Sequence, residues 1–425
     1  MRRTPGGVEV VAMGGFKVLR GVGVAACLAM GLSLVLVSGT FAASRPRTDV
    51  FAQQATLTAS DQIGTSFIGS AVALSSDGKT ALVGGPGDNE EVGAAWLFKR
   101  RGSTWIEQAK LTGGGETGRG HFGASLALSS DGRTALIGGP GDNEAIGAAW
   151  VFKRSGSTWD QQGEKLTAND EEAPSPGFGG GSFGASVALS ADGNTALIGG
   201  PRDRAFDFFA SGAVWVFTRS DSTWAQQGPK LLITSTSENA IDREVGQRVS
   251  LSGDGNTALI QAQNSESSHG NGGAWVFTRL GSTWTQGPLL MGGWESDSML
   301  SSGGNTALIE YSSSYYCCGP GGARVFTRSG STWTQQGPEL TNGEDRFGSL
   351  RESDAALSGD GNTALIRDST HPGVLVFTRS GSTWTQQVPS LAPTCRGEPC
   401  GGVALSLDAD TALVGTTVFV KSHHE

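Results

Sequence analysis

The apolar residues of this chain come in short runs set between turns rich in Gly, Ser, Thr and Asp. Across residues 122–166 the pattern predicts four strands. Phe122 to Ser129 reads as the first, Asp131-Gly132 as a tight hairpin turn and Thr134 to Gly138 as the second. A loop of Gly, Pro and Asp leads to Ala148-Ala149-Trp150-Val151-Phe152, the third. Ser155-Gly156-Ser157-Thr158 is a turn, and Trp159 to Leu166 is the fourth. Leu136-Ile137 and Trp150-Val151-Phe152 are apolar on both faces, as expected of strands covered on both sides. Asp160-Gln161-Gln162 is polar, as expected of a rim. No long apolar spacing of period 3.6 appears beyond the N-terminus, so little helix is expected.

This four-strand unit repeats. Asp77-Gly78-Lys79-Thr80-Ala81-Leu82 returns as Asp131 to Leu136, Asp192 to Leu197, Asp254 to Leu259 and Asp360 to Leu365. Two shorter copies end in Asn305-Thr306-Ala307-Leu308 and Asp410-Thr411-Ala412-Leu413. Threonines 80, 134, 195, 257, 306, 363 and 411 mark seven copies, spaced 48 to 62 residues apart. Four short antiparallel strands at that period describe the blade of a β-propeller. The fold class is therefore all-β, a propeller of seven four-stranded antiparallel blades. The fourth-strand signature Ser-Thr-Trp occurs only six times, at Trp105, Trp159, Trp224, Trp284, Trp333 and Trp384. The seventh unit stops after its third strand, and Gln53-Gln54-Ala55-Thr56-Leu57-Thr58 matches the missing piece. The N-terminal strand is thus expected to pair in the last blade and close the ring. Approximate blades are 59–111, 112–166, 167–232, 233–290, 291–340, 341–391 and 392–421 plus 51–58, within one propeller domain spanning 43–425.

Residues 1–42 read as a targeting segment. Arg2, Arg3, Lys17 and Arg20 precede an apolar run from Gly21 to Val37, and Thr40-Phe41-Ala42 offers small residues for cleavage after Ala42. An uncleaved membrane anchor and a lipoprotein signal at Cys27 are the alternatives; all three export the body of the chain. The net charge of -9 repels polyphosphate, so no nucleic acid partner is expected. Membrane association is expected only through the N-terminal segment, and the chain is read as a monomer. Four cysteines follow the targeting segment. Cys395 and Cys400 enclose a short loop and are a candidate disulfide. Cys317 and Cys318 are adjacent, and the spacing of the four matches no zinc pattern.

The run Phe122-Gly123-Ala124-Ser125-Leu126-Ala127-Leu128-Ser129, followed by Ile137-Gly138-Gly139-Pro140, resembles the FG-GAP repeat of integrin alpha-chain propellers. With its Gly-Ser-Thr-Trp-Thr-Gln-Gln tail the unit resembles bacterial FG-GAP repeats more closely. The resemblance spans nearly all of the exported chain and is weaker after Leu232. It implies a seven-bladed propeller, an extracellular setting and, loosely, adhesion or recognition. The calcium loop Asp-x-Asp-x-Asp-Gly of integrin-type blades has no counterpart: the turns here carry one Asp, too few oxygens for calcium. No cofactor is expected. The loops Asp88-Asn89-Glu90 and Asp142-Asn143-Glu144 are the candidate weak cation sites.

No nucleophile motif accompanies any of the five histidines, and the first-strand segments lack acids except for Asp297, Glu352 and Asp354. An enzyme is not expected. Ten of eleven Trp stand at repeat positions and read as packing; Trp294 does not. Tyr311, Tyr315 and Tyr316 are the chain's three tyrosines. They lie in the fifth unit where earlier blades have Gly-Gly-Pro-Gly-Asp, so they and Trp294 are the candidate binding residues. The function expected is recognition of a protein or glycan ligand at the cell surface or outside it. A lectin or glycosidase-like propeller is the alternative. Blades four to six carry the departures from the repeat and are where a site is expected.

Overall fold

The computed structural model describes residues 50–172, 180–203, 211–234, 242–264, 273–291, 297–311, 322–341, 355–368, 373–394 and 401–422. They form seven four-stranded antiparallel blades arranged as a seven-bladed propeller; in blade four the short strand Asp242–Arg243 adds a fifth member to the sheet. Blade one runs outward through Val72–Leu74, Thr80–Gly85, Ala94–Arg101 and Thr104–Leu111. The innermost strands of blades two to seven are Ser125–Leu128, Ser186–Leu189, Val249–Leu251, Ser298–Leu300, Ala355–Leu357 and Val403–Leu405. Each innermost strand touches the next, and the last touches the first, which closes the circle. In blade seven the outer strand is Phe51–Thr56, paired with Thr417–Lys421. The two ends of the propeller meet as the strand count requires.

The double-sided apolar pattern has a direct cause. Seven buried clusters fill the seven interfaces between blades. Neighbouring residues of one strand serve different interfaces: Leu82 packs with Ile137 and Trp150 of blade two, while Ala81 and Val83 pack with Leu413 and Val418 of blade seven. A second strand thus has no wet face, and all six residues of Thr80–Gly85 are buried.

Polar repeats hold the blades in register. The turn after each first strand is a five-residue loop rather than a two-residue hairpin. Ser75 Oγ donates to Asp77 Oδ1 (2.6 Å), and the Thr80 N–H donates to Ser75 Oγ (3.0 Å). Gly78 closes it at φ +58, where a Cβ would lie 2.5 Å from Thr411 of blade seven. These turns also bond around the ring: Ser76 N–H to Ser130 O, Ser130 N–H to Ala191 O, Ala191 N–H to Gly253 O and Gly253 N–H to Ser302 O. On the third strands an arginine clamps two blades. Arg219 donates to Asn194 in its own blade and to Gln162 of blade two, with its guanidinium 5.6 Å from the Trp224 ring. Arg279, Arg328 and Arg379 repeat the arrangement. Arg219→Lys keeps the charge but loses the planar fork, so it is expected to cost about 1–2 kcal/mol. Chemical denaturation should show this as a lowered midpoint at unchanged slope.

Two expectations change. Phe122 is not part of a first strand: it forms a parallel bridge to Gly93 of blade one and packs edge-on against Trp150 at 5.2 Å. The Phe-Gly pair therefore joins blades, and the strand begins at Ser125. The fourth strands of blades two, three and five stop early, at Gln161, Gln226 and Gln335. Gly163, Gly228 and Gly337 then turn the chain at positive φ, and Leu166, Leu231 and Leu340 rejoin the third strand by single bridges.

Candidate functional site

The end of the ring that carries the Phe-Gly pairs is built on a close approach. Gly84, Gly138 and Gly199 are the fourth residues after the repeat threonines and face Ala95, Ala149 and Val214. A Cβ on them would lie 2.0, 2.1 and 2.0 Å from the carbonyl oxygens of Gly123, Gly184 and Gly246 in the next blade. No side chain fits there without parting the blades.

Blades four, five and six break this rule. The same register position holds Gln261 opposite Ala274, Glu310 opposite Ala323 and Arg367 opposite Val374. Their partners on the inner strands are also changed. The Gln261 N–H donates to Arg248 O (3.0 Å) and the Glu310 N–H to Asp297 O (2.9 Å), where blade one has Ala71. Arg248 Nε lies 3.9 Å from Asp297 Oδ1, across the boundary of blades four and five. Arg367 Nη1 donates to Gly401 O of blade seven at 3.0 Å. The result is a belt of charged and amide groups within the ring, with Gln261, Asp297 and Glu310 only 3, 3 and 2% exposed. Burial pushes the Asp297 carboxyl up, against the pull of Arg248 and of the Ser298 and Ala355 N–H groups. Gln261 Oε1 and Ser298 Oγ are buried with no partner among the described residues. Buried polar atoms are ordinarily paired, and these two are exceptions, as are the indole nitrogens of Trp284 and Trp384.

Of the residues expected from sequence, Asp297 joins this belt. Tyr311 ends the strand Thr306–Tyr311 and pairs with Gly322. Tyr315, Tyr316, Trp294, Cys395 and Cys400 lie outside the described residues, as do Glu352 and Asp354. The belt's Gln261, Glu310, Arg367 and Arg248 were not expected. Their signal is in the repeat: the fourth residue after each threonine reads Gly, Gly, Gly, Gln, Glu, Arg, Gly.

The candidate cation loops have another arrangement. Asp88, 1% exposed, accepts from the Ile63 N–H at 2.7 Å and meets Lys110 Nζ at 2.8 Å. Asp142 accepts from the Thr117 N–H at 2.7 Å and pairs with Lys165. Asp203 accepts from the Glu172 N–H at 2.8 Å and pairs with Lys230 at 2.7 Å. Each aspartate thus ties the loop entering a blade, through an ammonium, to the blade's outer strand in blade one and to the segment just beyond it in blades two and three. Asn89 and Glu90, like Asn143 and Glu144, sit at left-handed φ on the loop's outside. Among the described residues no three His, Cys, Asp or Glu side chains gather as for a metal ion. The residue before the bonded N–H is Gln62 in blade one, Glu116 in blade two and Glu171 in blade three. Burial, with Asp142 and Asp203 close by, pushes Glu116 and Glu171 up to about 7.

Comparison with known proteins agrees with the architecture. The family model described as FG-GAP repeat matches residues 51–98 and 105–152. No curated protein sequence matches the chain. Among solved structures, hydrazine synthase of Kuenenia stuttgartiensis is 13% identical with a TM-score of 0.56, over 88% of this chain and 99% of that one. The β-propeller domain of Cps50 (Swd1) from Myceliophteria thermophila is 9% identical with a TM-score of 0.51, over 86% and 99%. A protein from Desulfotomaculum acetoxidans is 14% identical with a TM-score of 0.50, over 83% and 89%. At such identities the likeness is one of fold. Residues 51–98 and 105–152 thus match the FG-GAP repeat, and the described residues fold as a seven-bladed β-propeller on one blade plan.

Proposed function

We propose that this propeller is an exported, non-catalytic recognition module, and that its protein or glycan ligand meets the Phe-Gly end of blades four to six. One observation carries the reading: Gln261, Glu310 and Arg367 replace a glycine that the other four blades keep. Charged and amide side chains in a ring interface cost stability, and a binding site is where such a cost is retained. Export draws on the basic and apolar N-terminal segment and on the FG-GAP resemblance. The full-length protein and its Gln261→Gly/Glu310→Gly variant, passed over a glycan array and a cell-envelope extract, test the site. Capture should fall at least about tenfold in the variant, a loss of ~1.4 kcal/mol in binding. Equal capture by both proteins would place the ligand elsewhere.

A carbohydrate-active propeller is the second reading, favoured by the carboxyl groups of Asp297 and Glu310 on adjacent strands. Their burial argues against it, because a catalytic acid has to reach the glycosidic bond. Release of reducing sugar by the wild type, abolished in Asp297→Asn and Glu310→Gln, would establish it over the binding reading.

A further inference from the structure

We propose that blades one and two carry a basic face, on the end of the ring opposite the Phe-Gly pairs, that seats the propeller on an anionic lipid surface. This end holds the turns between first and second strands. The residue before each repeat threonine is Lys79 in blade one and Arg133 in blade two, but Asn194, Asn256, Asn305 and Asn362 in blades three to six. The residue opposite the threonine on the third strand changes with it. Lys99 faces Thr80 and Lys153 faces Thr134, where blades three to six have Thr218, Thr278, Thr327 and Thr378. Arg101 adds a further cation to blade one. The asparagines have a task in the ring, since each accepts from the arginine clamp of its own blade. A lysine or arginine side chain has no acceptor and cannot take that bond, so blades one and two give up a structural contact for charge.

The fold gathers these cations. The Arg100 N–H donates to Lys79 O and the Arg154 N–H to Arg133 O, both at 2.8 Å, so each turn lies beside the end of its third strand. The Ser76 N–H donates to Ser130 O at 3.0 Å and joins the two turns. Leu97 packs between blades one and two, and Lys99, two residues on, leaves the strand on that same side. The acids of this corner are Asp77, Asp131 and Asp160. Asp77 accepts from Ser75 Oγ and the Lys79 N–H, and Asp131 from Ser129 Oγ and the Arg133 N–H. Lys79 Nζ lies 4.0 Å from Asp77 Oδ2, with both side chains more than half exposed, a contact worth little in water. Blades three, four and six keep the turn acids Asp192, Asp254 and Asp360 without the added cations.

The path of the chain points to lipid as the anion. Phe51 stands opposite Lys421, whose N–H donates to Asp410 O in the turn of blade seven. Val50 therefore enters the ring at the turn end. Blade seven adjoins blade one there, where Arg100 Nη1 donates to Thr411 Oγ1 at 3.2 Å. Twelve residues separate Val50 from the apolar run that ends at Val37, at most about 40 Å of chain. The net charge of -9 makes an anionic surface repel the protein as a whole, so attraction depends on the end presented. The face is independent of the ligand reading above, and seating on it leaves the Phe-Gly end open.

Co-sedimentation of the full-length protein with phosphatidylcholine vesicles, with and without about 30% phosphatidylglycerol, tests the face. The readout is the ratio of binding to anionic over neutral vesicles, which cancels any insertion by the apolar run. Lys99→Thr/Lys153→Thr gives blades one and two the residue of blades three to six. Arg119→Thr/Arg202→Thr removes the same charge from loops at the Phe-Gly end. At low salt the wild-type ratio should exceed about thirtyfold, and the first variant should lower it about tenfold at an unchanged melting temperature. The second variant should leave it within about twofold, and high salt should erase it in all three proteins. Equal binding of the wild type to both vesicles, or equal loss in the two variants, would overturn the proposal. Binding of inorganic polyphosphate without binding of anionic vesicles would overturn it in favour of a soluble polyanion.

Discussion

Deleting residues 50–58 is expected to destabilise the ring as a whole rather than trim one edge. Phe51–Thr56 is the outer strand of blade seven, in register with Thr417–Lys421 from Phe51 opposite Lys421 to Thr56 opposite Thr417. The Leu57 N–H then donates to Thr416 O at 2.8 Å. Leu57 and Ala59 enter the cluster shared by blades seven and one, beside Trp96, Leu413 and Val418. Gln54 accepts the Trp105 indole N–H of blade one at 3.3 Å, as Gln162 accepts that of Trp224. Losing one buried leucine removes about 2 kcal/mol, and ladder hydrogen bonds add about 1 kcal/mol each. The sum is roughly 5 kcal/mol or more, comparable with the whole margin of a typical domain. The truncated protein should melt at least about 10 °C lower, or fail to fold. A melting curve superimposable on that of the intact chain would contradict the closure.

The closure was readable because it is a matter of counting: seven Thr-Ala-Leu copies against six Ser-Thr-Trp copies. The alternation of interfaces was readable too, since Leu136-Ile137 and Trp150-Val151-Phe152 leave no polar face. What could not be read was contact between repeats. Phe122 looks like the first residue of a strand because an apolar residue followed by Gly-Ala-Ser fits one. Its bridge to Gly93 belongs to another blade. The role of Asp88 was hidden in the same way: its ammonium partner, Lys110, lies on the fourth strand, one strand further on, and its N–H partner, Ile63, comes before the first strand begins. The pairing did leave a trace. Lys110, Lys165 and Lys230 each precede the leucine that pairs back onto the third strand in the three blades that have this buried aspartate. Blades four to six have Leu289, Glu339 and Ser390 at that place. In the site itself, Asp297 stood out as an acid in a first strand. Gln261, Glu310 and Arg367 did not, because a missing glycine reads as a degenerate repeat until its close approach to the next blade is known.

The same close approach yields the last expectation, a reversed pair of substitutions. Gly138→Gln puts into blade two the residue that blade four carries. Its Cβ would lie 2.1 Å from Gly184 O and 2.3 Å from Ser125 Oγ. Ser125 Oγ also bonds Gly184 O at 2.7 Å, so the clash falls on a bond that joins blades two and three. Backbone cannot swing aside as a side chain does. The blades must separate, which loosens Phe183 and Trp215 behind them. A cost above about 3 kcal/mol is expected. Gln261→Gly makes the opposite change. It removes a buried amide whose Oε1 has no partner among the described residues, a gain of about 1 kcal/mol. Added backbone freedom at glycine offsets that by about 1 kcal/mol. The net effect should lie close to zero. Denaturant midpoints of the two variants decide the matter. If Gly138→Gln is tolerated as easily as Gln261→Gly, the glycine position does not govern blade spacing. The polar belt would then be ordinary drift. A strong asymmetry means that blades four to six are spaced to admit those side chains, whereas blades one to three are not.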